Sequence, residues 1–186
     1  MEENAAQPDS GDVPAGEHAV TDPMAQLYRR HSPTVYAYLL SRTRNPEEAE
    51  DLVGEAFLIA CRKEEKVLEA RSPGAWLIGV ARNLARNRGR RSGREQPLGW
   101  EPEARAPSPD RRLERAWEKA RTLQAIDQLR RRRAEALRLR YLAELDYPAI
   151  ARILHTTVAG AKMTVSRARD DLRAVLGREE QEDAQR

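Results

Sequence analysis

Three groups of side chains in this 186-residue chain are spaced closely enough to act together. The first is acidic: Glu47, Asp51 and Glu55 recur every four residues, with Glu48 and Glu50 beside them. Paired carboxylates can serve acid–base catalysis, but these lie on the outward side of a helical pattern with no accompanying nucleophile. Early carboxylates also suit the positive end of a helix dipole. That covers Glu47, Glu48 and Glu50 but not Glu55, two turns further on; a partner-docking face covers all of them. The second group is basic. Between Arg71 and Arg94 stand seven arginines and no acid. Arg82, Asn83, Arg86, Asn87 and Arg90 share the polar side of one helical pattern, and such a side can hold phosphates and read base edges bidentately. An arginine-rich helix end also complements its own dipole, which would account for a few of the seven. The third group lies in Tyr147–Leu172, where Ala159, Lys162, Met163, Ser166 and Arg167 face away from an apolar stripe. A short helix, a turn and a second helix with a basic outer face form an arrangement that places a helix in the DNA major groove. Two helices packed only on each other would give the same stripe.

The elements that must position these groups are all helical. From Met24, Leu27, His31, Val35 and Leu39 follow helical spacing, with Pro33 expected to break or kink the run. Asn45 and Pro46 read as N-cap and first helical position of a helix over about 46–62, with Ala49, Leu52, Val53, Ala56, Phe57 and Ala60 inward. Residues 63–72 read as a polar connection. Ser72-Pro73 opens a helix that buries Trp76, Leu77, Val80, Ala81 and Leu84. Four prolines and two glycines between 92 and 110 mark a linker, in which Trp100 is unusual. A second block runs from about 111, with Leu123, Ile126 and Leu129 inward, a basic corner at Arg130–Arg133, and a helix over 134–144 burying Leu137, Tyr141 and Leu142. In the final pair of helices, Ile150, Ala151 and Leu154 precede the turn. Val158, Ala161, Val165, Ala168 and Leu172 follow it at spacings of three and four. Thr157 is suited to cap the last helix.

Charge is segregated along the chain. Residues 1–22 hold six acids and no Lys or Arg, and read as a disordered tail. Residues 176–186 form a charged tail. The two ends carry −6 and −2 of the net +3, which leaves +11 on residues 23–175. A centre so basic favours a polyanionic partner, although a solvated arginine-rich surface has the same composition. The single Cys61 excludes an intramolecular disulfide and a multi-cysteine zinc site, and His18, His31 and His155 are scattered. The N-terminus lacks an apolar run, and no segment reaches membrane-spanning length. The expectation is a soluble, cytoplasmic protein without cofactor or metal.

Taken in order, these blocks resemble the bacterial RNA polymerase sigma factors, and their two-domain arrangement is similar to the extracytoplasmic-function (ECF) group of the sigma-70 family. EEAEDLVGEAFLIACR (47–62) resembles that family's polymerase-docking helix, and SPGAWLIGVARNLARNRGRR (72–91) its minus-ten helix. AIDQL (125–129), LRLRYLAELDYPAIARIL (137–154) and VSRARDDLR (165–173) resemble its minus-thirty-five domain. The resemblance implies an all-α protein of two small helical domains: a region 2-like domain at 23–91, a flexible linker at 92–110 and a region 4-like helix-turn-helix domain at 111–175. It implies that Asp51, Leu52, Glu55 and Phe57 face the polymerase, and that Arg82, Asn83, Arg86, Asn87 and Arg90 meet the minus-ten element. A loop at 66–72, with Lys66, Val67, Arg71 and Ser72, would hold a flipped base. Arg140, Thr157, Ala159, Lys162, Met163, Ser166 and Arg167 would contact the minus-thirty-five element. The implied partners are core RNA polymerase, promoter DNA and an anti-sigma factor, for a protein that is monomeric when free and is not itself an enzyme. Departures from the family pattern include Gly54 where Gln is usual, Val67 where an aromatic is common, and His155 where the turn usually has Gly. Thr164 stands where Arg is frequent, and Met163 where a small polar residue is.

Two other classes fit parts of the chain. A stand-alone dimeric helix-turn-helix regulator would bind a palindrome without polymerase. A helical anti-sigma or adaptor protein would bind a protein partner without strong salt dependence. For a sigma factor, two modules on a flexible linker have no fixed spacing, so the free protein is expected to bind promoters poorly until docked.

Overall fold

The first helix opens at Asp22: its carboxylate accepts the Met24 N–H at 2.9 Å, with Pro23 at the first helical position. A computed structural model describes residues 22–91 and 111–184. The acidic tail, the linker with Trp100 and the last two residues lie outside those described.

The first domain is built from α1 (Pro23–Thr43), α2 (Pro46–Cys61), α3 (Glu64–Leu68) and α4 (Pro73–Arg91). Helix α1 runs through Pro33 without a break. It stops at Arg44, whose left-handed φ of 55° turns the chain. Asn45 then caps α2, its side-chain oxygen accepting the Glu48 N–H at 3.1 Å, and Ser72 caps α4 by accepting from the Ala75 N–H at 3.3 Å. Both caps agree with the sequence reading, because capping is decided within four residues. The polar connection at 63–72 contains one helical feature that reading lacked: α3, anchored by a fully buried Val67.

The second domain comprises α5 (Arg111–Asp127), α6 (Arg131–Leu137), a π-helical turn (Arg138–Leu142), α7 (Tyr147–Ile153) and α8 (Val158–Ala184). The π turn closes with the Ala143 N–H donating to Arg138 O at 2.9 Å. Its wider turn shifts the register against an α-helix, so Leu139 is fully buried while Tyr141, expected inside, is 55% exposed. Leu142 is half-buried.

The two domains are not separate beads. Tyr38, Leu39 and Leu77 of the first domain and Ala136, Leu139 and Leu145 of the second belong to one continuous apolar cluster. Each fully buried leucine contributes about 1.5–3 kcal/mol relative to exposure. A smaller cluster of Ile126, Leu129, Ala134, Leu137 and Ala168 ties α5 and α6 to α8. The loosely tethered pair expected from the sequence is therefore, among the described residues, a docked pair. The apolar positions that join them, notably Ala136 and Leu139, are indistinguishable by periodicity from core positions of one domain.

Candidate nucleic-acid and polymerase interfaces

The helix-turn-helix is assembled by local interactions. Asp146 caps α7 through the Ala149 N–H at 2.8 Å. Its C-terminus closes with two reversed bonds: Thr156 N–H to Ala151 O at 2.9 Å and His155 N–H to Arg152 O at 3.3 Å. This is a Schellman termination, and it places His155 at a φ of 50°, where glycine would be relaxed. Thr157 then caps α8, its hydroxyl accepting the Gly160 N–H at 3.0 Å. A Cβ at Gly160 would lie 2.5 Å from the Thr156 hydroxyl, so the absence of a side chain there keeps the turn tight.

Ala161, Val165 and Ala168 point into the core, while Val158, expected inside, is 40% exposed because it begins α8 beyond the reach of α7. Thr157, Ala159, Lys162, Met163, Ser166 and Arg167 are all exposed along one side of the helix. The Arg140 guanidinium carbon lies 5.2 Å and the Lys162 ammonium 5.7 Å from the centre of the Tyr147 ring. Arg140 also donates to Leu145 O at 3.0 Å. Tyr147 thus fixes two cations at one edge of the face by cation–π attraction, a role not read from its position at the start of α7. The basic corner at Arg130–Arg133 is partly structural: Arg132 donates to Leu154 O at 3.1 Å, and Arg133 pairs with Asp171.

In the first domain, Asn83, Arg86, Asn87 and Arg90 are exposed on α4, and Arg90 donates to Asn87 at 2.5 Å. Arg82 departs from the expected open face. Its Nε donates to Glu135 of the second domain at 3.0 Å. The base-capture residues divide likewise: Lys66 and Arg71 are exposed, whereas Ser72 is engaged as a cap and Val67 is enclosed in the core, so its side chain cannot reach a base. A cleft of about 650 Å³ opens beside that loop, lined by Arg30, His31, Arg71 and Ser72 from the first domain and by Ala143–Leu145 from the second. His31 is held below its ordinary value by burial and then by Arg30. It packs where a Cβ on Gly74 would come within 3.0 Å of its ring.

The outer face of α2 is narrower than the sequence reading of it. Leu52 (0%) and Phe57 (6%) face inward, because they lie on the stripe that packs on α1 and α4. Phe57 meets Tyr28 edge to face at 4.7 Å. What remains exposed is Glu47, Glu50, Asp51, Gly54 and Leu58, with Glu55 half-buried beside them. Arg88 of α4 pairs with Glu55 and approaches Asp51 at 3.6 Å, so the carboxylate that the helix dipole leaves unexplained has a partner within the chain.

Among the described residues no cluster of three or more His, Cys, Asp or Glu side chains could hold a metal, and no helix is long and apolar enough to cross a membrane.

This geometry defines a two-domain helical protein with one basic helix face in each domain. Residues 27–95 match the family described as Sigma-70 region 2, and residues 119–172 match Sigma-70, region 4. The chain is 31% identical over 159 residues to the ECF RNA polymerase sigma factor BldN of Streptomyces coelicolor, covering 83% of this chain and 59% of that one. It therefore spans less than two thirds of BldN's length. It is also 31% identical over 146 residues to the ECF sigma factor EcfG of Rhodopseudomonas palustris, covering 77% and 80% of the two chains. The solved complex of the sigma factor RpoE with the anti-sigma factor NepR from Bartonella quintana contains a similar chain: TM-score 0.62, 25% identity, 82% of this chain and 96% of that one. The chain belongs to the sigma-70 family of RNA polymerase sigma factors, in its extracytoplasmic-function group. Sigma factors are the subunits that direct RNA polymerase to promoters.

Proposed function

We propose that this sigma factor binds core RNA polymerase through the exposed edge of α2, with Asp51 and Glu55 as its charged contacts, and reads a promoter at two points. The minus-ten element meets Asn83, Arg86, Asn87, Arg90 and, once released, Arg82. The loop with Lys66 and Arg71 receives the extruded base; unstacking costs a few kcal/mol, which capture in a pocket offsets. The minus-thirty-five element meets Arg140, Thr157, Ala159, Lys162, Met163, Ser166 and Arg167. The protein supplies recognition and melting while the polymerase does the chemistry, so it is not itself an enzyme. It acts in the cytoplasm, monomeric when free, and an anti-sigma factor is its natural antagonist.

The observation that supports this reading most is the pairing of two basic, outward helix faces in separate domains, one on the second helix of a helix-turn-helix and the other following an acidic helix edge. A dimeric regulator would need neither the acidic edge nor the second basic face. The decisive experiment is run-off transcription with core polymerase on a promoter-containing genomic library. Discrete start sites that require both the polymerase and this protein are expected. Unchanged transcription, with dimeric binding to a palindrome by the protein alone, would replace the reading with the regulator.

A further inference from the structure

The face of α8 that would read bases carries little charge. Lys162 and Arg167 are its cations, while Thr157, Ala159, Met163 and Ser166 are neutral. Contacts to base edges specify a sequence, but contacts to phosphates fix the register in which it is read. In a helix-turn-helix the first helix crosses the DNA backbone. On α7, that first helix, Pro148 and Arg152 are the exposed residues. Arg152 leads into the turn, its carbonyl accepting the His155 N–H at 3.3 Å. His155 is itself exposed, and its φ of 50° is a conformation that a β-carbon makes costly. Arg132 reaches the same corner from α6. Its Nη2 donates to Leu154 O at 3.1 Å, which holds the exposed guanidinium beside the peptide of His155 with most of its donors unspent. Nearby, Arg133 is paired with Asp171 and Arg138 with Asp127, whereas no carboxylate pairs with Arg132 or Arg152 among the described residues.

We propose that Arg132, Arg152 and His155 form a phosphate clamp at the turn of the helix-turn-helix, gripping the DNA backbone beside the bases that α8 reads. The inference rests on the proposed minus-thirty-five role of α8 and adds three positioning residues to it. Each guanidinium can meet phosphate oxygens bidentately. The imidazole of His155 can donate an N–H to a phosphate in either protonation state. The strain at His155 then has a use, because glycine would relax the turn but bring no donor to it. Strain kept at an exposed turn, where no core packing depends on the side chain, points to a contact outside the chain. An arginine in the last turn of α7 also complements the helix dipole. That role alone would show in stability and not in the salt dependence of DNA binding.

The test uses holoenzyme made with the full chain, bound over a series of salt concentrations to two DNAs. One is a promoter fragment recovered by run-off transcription, the other a copy with an altered minus-thirty-five sequence. Arg152→Gln should weaken binding about two- to fivefold on both fragments. It should also reduce the slope of log affinity against log salt by about one, the signature of a lost phosphate contact. Arg167→Ala, on the base-reading face, should instead narrow the difference between the two fragments. His155→Gly should raise the melting temperature and yet lower DNA affinity, a pair of changes that a purely structural residue would not give. An unaltered salt slope in Arg152→Gln, or an unaltered affinity in His155→Gly, would overturn the clamp. Equal binding of both fragments, with no effect of Arg167→Ala, would strike the minus-thirty-five reading of α8 instead. The salt slopes would then still report whether this corner meets phosphate.

Discussion

The basic faces of α4 and α8 carry similar chemistry and are held in different ways. On α8 every element of the presentation is local: the Asp146 cap, the Schellman turn at His155 and the Thr157 cap all lie within a dozen residues of the face. On α4 the leading arginine answers to an acid 53 positions away in the other domain. A face built locally is open wherever its helix-turn-helix is folded. On α4 the other four residues of the face stay exposed, while the charge of Arg82 is taken up by Glu135, so at that one position the charge visible in composition is not the charge available to a ligand.

If that contrast is right, the α8 face should fail only when its own fold fails. Ile150→Ala empties a fully buried position between α7 and α8 and should cost about 2–5 kcal/mol of stability, seen as a lower midpoint in thermal unfolding followed by circular dichroism. A loss under 1 kcal/mol would mean that the docked first domain, rather than α7, supports the face. Arg167→Ala, on the exposed side of α8, should weaken minus-thirty-five binding of the holoenzyme by about 1–3 kcal/mol with no shift in melting temperature. A destabilised variant would place Arg167 among the structural arginines, with Arg132 and Arg133. Removal of the Thr157 hydroxyl in Thr157→Ala should cost about 1 kcal/mol, confined to the second domain by hydrogen exchange.

The smaller effects sharpen the same comparison. Tyr147→Leu keeps an apolar start to α7 but removes the ring beneath Arg140 and Lys162, so minus-thirty-five affinity should fall by about 0.5–1 kcal/mol; an unchanged affinity would leave the two cations independent of the ring. The smallest effect belongs to His31, at the cleft between the domains. Its folded-state pKa is lowered, so the unfolded chain binds protons more readily, and stability is full above the ordinary value of about 6.5 and declines as pH falls through the folded one. The melting temperature of the native protein should therefore drop more between pH 7 and 5 than that of His31→Gln, and parallel curves would refute the assignment.

How much of this was legible in the residues follows from the range of each interaction. Asn45, Ser72, Asp146 and Thr157 satisfy helix ends from two or three positions away, so caps and boundaries can be read directly. The apolar stripes likewise say which side of α2, α4 and α8 is inward, and they already excluded Leu52 and Phe57 from an outer face. Tyr141 and Val158 were misplaced for geometric reasons: a π turn breaks the 3.6-residue period, and the first residue of a helix can overhang its neighbour. Glu135 left a faint signal, a lone acid in RRRAEALRLR with alanines on both sides. Nothing in that run names its partners.

By itself, the sequence determined the all-helical class, the order of the two modules, the caps that delimit them and the residue types on each basic face, because helix periodicity, capping and charge are properties of neighbours along the chain. Only the tertiary structure decided that the two modules dock, that Val67 is core and that Arg82 and Glu55 have partners within the chain. The physical reason is that charge pairing depends on distance in space. Positions 82 and 135, or 55 and 88, come within bonding reach only after the helices between them have packed.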